Sequence, residues 1–347
     1  MTGAPTRTLA DLRISPIGLG GNVFGWTADE TTSFEVLDAY LDGGGNLIDT
    51  ADGYSYWAPG NSGGESETVI GAWLASRPVR ERVVLATKVS TKPDRSGLSA
   101  DNIRRALEES LSRLRTDVID IYYAHFDDES TPLEETVGAF EEARLVGRIR
   151  HVGLSNYTPE RIRQWFAIAD AHGYARPVVL QPHYNLLHRD DVEGPGARGQ
   201  VAAELGMGLM PYFALAAGFL TGKYRRDEPI SGERAGMVAD YQRSECYDVV
   251  EAVARVAADH GVEPAAVALA WLRDRPGVTA PLASARNLSQ LRPILEALTL
   301  EVSVTRRPGL SPGSPMPRAP DPLWGRPAPT ECACPERNGG CIRRRGR

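Results

Sequence analysis

The body of this 347-residue chain is nearly free of cysteine. Of four cysteines only Cys246 lies outside the tail, where Cys332, Cys334 and Cys341 crowd together. That usage excludes a disulfide-built fold, and three thiols without a nearby histidine make a poor zinc set, so no metal is expected. Long hydrophobic runs are also missing. The least polar stretch, Gly206 to Leu220, is interrupted by Pro211 and too short to cross a bilayer, so no membrane partner is expected. The amino terminus has no apolar signal core, since Arg7, Asp11 and Arg13 are spread through it, and a cytoplasmic location is the expectation. Positive charge is scarce where a nucleic-acid binder would need it. Nine arginines against three acids from Thr305 onward give that tail +6, which leaves −12 on the remainder of a chain whose total is −6. An acidic body argues against nucleic acid as a partner. Gly18-Leu19-Gly20-Gly21 opens like a dinucleotide fingerprint, but Val23 stands where the third glycine is needed.

What remains is an ordinary globular composition, 42% hydrophobic and 24% charged, long enough for one large barrel or two average domains. Strand-like apolar runs alternate with helical patterns from residue 30 to about 300. The runs are Asn46–Thr50, Val83–Val89, Val118–His125, His151–Ser155, Val178–Gln181, Gly208–Phe213 and Val278–Pro281, with an earlier strand expected around Ile17 to Gly20. Helices are expected at Phe34–Leu41, at Ser66–Leu74, and over Asp101–Leu114, where Ile103, Leu107, Leu111 and Leu114 share one face. Thr131-Pro132-Leu133-Glu134 and Thr158-Pro159-Glu160 carry cap-and-proline starts, and Pro264 opens a helix through Trp271. Eight strands, each followed by a helix, fit a closed (β/α)8 TIM barrel, an α/β fold, better than a doubly wound sheet. Residues 7–16 are expected to form a hairpin plugging the barrel floor. The expected organisation is a barrel over 1–304 and a disordered, atypical C-terminal tail, rich in proline and arginine, over 305–347. The abrupt change near Val304 raises the hypothesis of a frame change or fusion that replaced a terminal helix.

Four residues in the first 125 positions carry chemistry: Asp49, Tyr54, Lys88 and His125. Each lies at or just past the carboxyl end of a strand-like run, where α/β proteins build their sites. A lysine ending an apolar strand must be paired or reach solvent. A cation and an imidazole beside a phenol are expected to lower its pKa, with a carboxylate holding the lysine charged. Such a phenol can protonate an oxygen that is gaining negative charge, as in carbonyl reduction. Trp26, Trp57 and Phe126, with Val23, Phe24 and Tyr56, are candidates to line a substrate pocket. Asp127, Asp128 and Glu129 read as a solvated helix-cap cluster. Of the histidines, His125 and His183 are placed near the crevice, His183 in a packing role; His151, His172, His188 and His260 are read as surface or helix-end residues.

The order of short motifs resembles the aldo-keto reductase family. It runs from Asn46-Leu47-Ile48-Asp49-Thr50-Ala51-Asp52-Gly53-Tyr54 through Thr87-Lys88-Val89, Tyr122-Tyr123-Ala124-His125 and Gly153-Leu154-Ser155-Asn156. Gln181-Pro182-His183-Tyr184-Asn185 follows, then Pro211-Tyr212 and Leu220-Thr221-Gly222-Lys223-Tyr224. The resemblance implies a barrel that binds a nicotinamide cofactor, NADP(H), across its carboxyl-end rim and reduces a small-molecule carbonyl substrate. It implies Tyr54 as proton donor, tuned by Lys88 and Asp49, with His125 orienting the carbonyl. Ser155, Asn156 and Gln181 would hold the carboxamide, Tyr212 would stack on the nicotinamide, and Gly21 and Asn22 would lie beneath it. Phe213, Leu215, Leu220, Gly222 and Lys223 would wrap the pyrophosphate. Ser284, Arg286 and Gln290 would meet the adenosine phosphate, Arg286 pointing to NADPH over NADH. Two alternatives stay open: a redox-sensing NADPH-binding subunit with little turnover, and an inactive product impaired by its tail. A homo-oligomer is compatible with all three.

Overall fold

The computed structural model describes residues 5–226, 228–229 and 235–302; the reading of 305–347 as a disordered tail falls outside them. Twelve strands occur among the described residues: β1 (Arg7–Leu9), β2 (Leu12–Ile14), β3 (Gly18–Gly20), β4 (Leu47–Asp49), β5 (Val84–Val89), β6 (Thr91–Lys92), β7 (Arg95–Ser96), β8 (Ile119–Ala124), β9 (Ile149–Ser155), β10 (Val179–Gln181), β11 (Gly208–Leu209) and β12 (Leu282–Ala283). Eight form one parallel sheet in the order β11-β10-β9-β8-β5-β4-β3-β12. The Leu209–Val278 bridge brings the two edges together, and bonds from Thr279 N to Leu209 O (2.7 Å) and Leu282 N to Pro211 O (2.8 Å) close the ring. The fold is a (β/α)8 barrel.

The eighth strand differs from expectation. Its ladder residues are Leu282–Ala283, paired with Gly18 and Leu19, not Val278–Pro281. Pro281 lacks an N–H and contributes only its carbonyl, which accepts from Gly18 N. The seventh strand ends at Leu209 rather than Phe213, because Pro211 interrupts the ladder and Phe213 turns to a positive φ of 54°.

Side-chain alternation sorts the core into two layers. Leu47, Val84, Ala86, Ile121, Tyr123, Val179 and Met210 pack inside the barrel with Leu9, Leu12 and Ile14 of the β1–β2 hairpin. The hairpin closes the amino-terminal floor, as residues 7–16 implied. The alternate residues Ile48, Leu85, Tyr122, Leu154 and Leu180 face the helical shell. Counting on by two along each strand moves from Leu47 to Asp49, Ala86 to Lys88, Tyr123 to His125 and Val179 to Gln181. A period of two therefore delivers the polar residues to the inner face at the carboxyl end.

Helices Glu30–Asp42, Glu65–Ser76, Ala100–Leu114, Pro159–His172 and Pro264–Arg273 occupy the places read from periodicity. Thr158 caps its helix as expected, accepting from Arg161 N. Thr131 does not: its hydroxyl donates to Asp128 Oδ2 (2.7 Å), and helix Leu133–Leu145 starts after Pro132 without a side-chain cap. No helix among the described residues is long and apolar enough to cross a membrane.

Gly71 shows how tightly the shell is drawn in. A Cβ there would run into the backbone carbonyl oxygen of Arg113 and lie 2.8 Å from its carbonyl carbon. Backbone cannot give way as a flexible side chain can. Gly71→Ala is expected to lose about 3 kcal/mol of stability in urea unfolding; a loss below about 0.5 kcal/mol would show that the two helices are not in this contact.

Candidate active site

Lys88 is fully buried, which demands compensation for its charge. Its ammonium makes three bonds: to Asp49 Oδ2 (2.6 Å), to Thr50 O (2.7 Å) and to Tyr54 Oη (3.0 Å). An ammonium has three protons, so this accounts for all of them. Asp49 Oδ1 accepts from Gln181 Nε2 (2.9 Å), tying the ion pair across the barrel mouth. His125 meets the phenol edge-to-face, ring centroids 6.1 Å apart, with Nδ1 3.3 Å from Thr91 Oγ1. The structure thus brings Asp49, Tyr54, Lys88 and His125 into one cluster.

The electrostatics correct one expectation. Burial, followed by the Asp49 carboxylate, pushes the Tyr54 phenol well above its usual range. Burial, followed by the Lys88 charge, holds His125 well below its ordinary value, so the imidazole is neutral. A neutral imidazole brings no positive charge to favour a phenolate, and the nearby carboxylate opposes one. Tyr54 is a firmly protonated phenol.

The residues assigned to the carboxamide form a chain of hydrogen bonds. Ser155 Oγ donates to Gln181 O (3.0 Å), and Asn156 Nδ2 donates to Ser155 Oγ (3.0 Å) and His125 O (2.9 Å). Tyr212 Oη donates to Asn156 Oδ1 (2.8 Å). Asn156 sits at a positive φ of 61°, a strained conformation found at sites more often than elsewhere. Amides, a hydroxyl and a flat aromatic face are the donor set that a carboxamide-bearing ring requires, so these residues fit a nicotinamide. Asn156 would exchange one internal partner to reach it.

Gly21 N donates to Asp49 O (2.7 Å), and a Cβ there would lie 2.8 Å from Ser66 Oγ, so a larger residue would displace that hydroxyl. Asn22 Oδ1 accepts from Ser284 Oγ (2.6 Å), joining the first and last barrel strands at the rim. Between Phe213 and Gly222 the backbone curls through positive φ at Phe213, Ala216, Ala217, Gly218 and Gly222. Leu220 is buried in the core, so its side chain meets other apolar groups; Leu215 is partly buried against the same core. Lys223 Nζ lies over the Tyr224 ring at 4.7 Å. Arg286 is exposed, and its backbone N donates to Gln290 Oε1 (3.1 Å) at the start of helix Leu288–Glu296.

Trp26, Trp57 and Tyr56 meet edge-to-face at 5.7 and 5.4 Å, Trp57 lies 6.1 Å from Tyr54, and Phe126 packs 5.1 Å from His125. These rings adjoin the quartet. Val23 and Phe24 do not belong with them, because both are buried in the hydrophobic core. Asp127 pairs with Arg161 at 2.6 Å, and Asp128 gathers Leu98 N, Ser130 and Thr131, so this acidic group organises loops.

A model of the Aldo/keto reductase family matches residues 16–305. The chain belongs to this family. The reductase is 35% identical over 302 residues to the uncharacterized oxidoreductase YrpG of Bacillus subtilis, covering 84% of this chain and 89% of that protein. It is 33% identical over 323 residues to protein tas of Escherichia coli (85% and 92% covered). It is 30% identical over 315 residues to norsolorinic acid reductase stcV of Emericella nidulans (85% and 77% covered). It is an NAD(P)H-dependent oxidoreductase of a family acting on small carbonyl compounds.

Sequence reasoning missed a second polar cluster in the reductase, behind the lysine. Asp52 is fully buried and neither of its carboxylate oxygens has a hydrogen-bond partner among the described residues. Its backbone N donates to Lys88 O (3.1 Å). Glu67, also fully buried, accepts from Thr87 Oγ1 (2.6 Å) and from Arg113 Nε (2.7 Å). Helical spacing puts Glu67 on the face of Ile70 and Leu74, and that signal, a charge in line with buried apolar residues, could have found it. Burial, then the Glu67 carboxylate, push the Asp52 carboxyl up to about 8. The folded state therefore retains a proton that the unfolded chain releases near pH 4, and stability falls as pH rises from about 4 to 8. Asp52→Asn removes that linkage. The variant's melting temperature relative to wild type is expected to shift in its favour between pH 5 and pH 8; a pH-independent difference would contradict a buried neutral Asp52.

His188, expected at the surface or a helix end, is instead buried and stacked on His183. His151 lies partly buried instead, with Nε2 2.5 Å from Asp11 Oδ1 of the hairpin turn.

Proposed function

We propose that this chain reduces an aldehyde or ketone to the alcohol with NADPH, Tyr54 giving the proton. The observation that carries the reading is the bond from Lys88 Nζ to Tyr54 Oη at 3.0 Å. Because the lysine donates there, the phenol oxygen accepts, and Tyr54 keeps its own proton for a substrate oxygen. The raised phenol pKa keeps that proton in place until an oxygen of developing negative charge meets it. Bound at the rim, the dihydronicotinamide supplies the hydride. As Tyr54 loses its proton, the Lys88 charge 3.0 Å away stabilises the phenolate that forms, and Asp49 keeps that charge fixed. His125, neutral, can donate or accept a hydrogen bond to orient the carbonyl without repelling Lys88.

Ser155, Asn156 and Gln181 would orient the carboxamide, and Tyr212 would meet the ring. Gly21 and Asn22, at the end of β3, would help to hold that ring. The curl from Phe213 through Leu215 and Leu220 to Gly222, with Lys223, suits the pyrophosphate, since successive left-handed residues gather amides into an anion-binding concavity. Ser284, Gln290 and the start of helix Leu288–Glu296 suit the remaining phosphate, with Arg286 as its cation. Trp26, Trp57 and Phe126 favour a flat, apolar carbonyl compound.

Two measurements test this. Tyr54→Phe should lower kcat for carbonyl reduction about 100-fold or more, the low end of what a positioned acid contributes, with NADPH binding by fluorescence titration within about twofold of wild type, since the proton is not part of cofactor recognition. Full activity would remove Tyr54 from the reaction. Arg286→Ala should raise KM for NADPH about tenfold, the scale of one charge-assisted hydrogen bond, while leaving KM for NADH unchanged. An equal effect on both cofactors would refute the 2′-phosphate contact.

A further inference from the structure

His183 and His188 form a stack that adjoins the residue assigned to the nicotinamide. His183 follows β10 by two residues and bridges in parallel to Tyr212. Its imidazole lies 5.4 Å from the Tyr212 ring at 22°, and 3.8 Å from the His188 ring at 5°. The far end is anchored. His188 Nε2 is 3.0 Å from Asp191 Oδ2, which also meets Arg198 at 3.3 Å. Paired backbone bonds between Asn185 and His188 (3.1 and 3.2 Å) fix the turn that carries the second ring.

His183 also touches the segments on either side. Its Nε2 is 3.3 Å from Tyr241 Oη and 3.4 Å from Asn185 Nδ2, and the Asn185 amide donates to Phe213 O (3.0 Å). Its Nδ1 has no hydrogen-bond partner among the described residues. The edge contacts are long and incomplete, whereas the face contact to His188 is close and nearly parallel. Burial, with His188 adding to it, pushes His183 down to about 3, so the ring in the middle is uncharged and packs as an aromatic.

We propose that the His183–His188 pair is a positioning stack that fixes the plane of Tyr212, and through it the seating of the nicotinamide. The inference rests on the reading that Tyr212 is the stacking partner of that ring. The bond from Tyr212 Oη to Asn156 Oδ1 holds one end of the phenol, Phe213 meets its ring at 5.4 Å and 54°, and the His183 imidazole adds the more nearly parallel contact. That contact, backed by the His188 ring at 3.8 Å, restrains the plane of the phenol. Hydride transfer depends steeply on distance and angle, so this restraint acts on rate as well as affinity.

Two variants separate ring from hydrogen bond. His188→Phe keeps the ring and loses the Asp191 bond; His188→Gln keeps a donor for Asp191 and loses the ring. The full chain would be assayed for NADPH dissociation constant, for benzaldehyde reduction, and for the primary isotope effect with NADPH deuterated at C4. His188→Gln should weaken NADPH roughly three- to tenfold, the scale of one aromatic pair, lower kcat and raise the isotope effect. His188→Phe should stay near wild type in all three, whatever its melting temperature. Wild-type behaviour of His188→Gln, or equal impairment of both variants, would overturn the stack. Failure of the wild-type protein to bind NADPH would instead remove the reading of Tyr212 on which it rests.

Discussion

A single buried ion pair, Lys88 with Asp49, sets the terms for everything at the mouth of this barrel. Neither partner has appreciable access to water, so each must be compensated by the protein. Removing one partner of such a pair typically costs about 3–5 kcal/mol, because the other is left charged and dry. The chain meets the demand with geometry. All three ammonium protons have acceptors, and both carboxylate oxygens of Asp49 have donors, one from Lys88 and one from Gln181. The third acceptor is Tyr54, so satisfying the lysine is the same act as orienting the phenol. Stability and chemistry share one set of bonds.

The barrel supports this by dividing its interior. Below the polar layer the inner face is apolar and plugged by the hairpin; Leu9, Leu12 and Ile14 pack on Leu47, Val84 and Ile121. Dry packing underneath lowers the local dielectric response and strengthens the Lys88–Asp49 attraction. At the carboxyl-end rim above it Trp57 adjoins the phenol, Trp26 adjoins Trp57, and Phe126 adjoins His125. The neutral state of His125 belongs to the same logic, since a second cation beside Lys88 would repel it in a medium that screens poorly.

Much of this was legible in the sequence because β-structure writes its orientation in a period of two. Once the strands were placed, Asp49, Lys88 and Gln181 had to share the inner face, and a charge at the end of an apolar run had to be paired. Residues off the strands were harder to read. Glu67 shares a helix face with Ile70 and Leu74, but a helical period does not name the partner, Arg113, that a neighbouring helix brings to it. His188 sits in a tight turn after β10, and turn residues are ordinarily exposed; its burial depends on His183 from the same turn. Val278–Pro281 had the composition of a strand, but register depends on backbone donors, and Pro281 has none to give. The phenol's protonation was misjudged because the sign turned on how completely Tyr54 is buried.

Some of the buried polar atoms without hydrogen-bond partners among the described residues lie near the site. Asp52, Tyr122 and Arg95, with buried polar atoms lacking partners among the described residues, lie close enough to interact electrostatically behind Lys88, and His183 Nδ1 is another such atom beside Tyr212. A buried polar atom without a partner costs about 1–3 kcal/mol, and the apolar floor carries none of these groups. Strain of this kind persists where the surrounding structure over-determines it. Here the surrounding structure is the barrel itself, whose closed ladder and hairpin plug can hold a costly upper layer in position. The rigid lower half thus makes possible the polar arrangement in the upper half, and the direction of dependence runs from packing to chemistry.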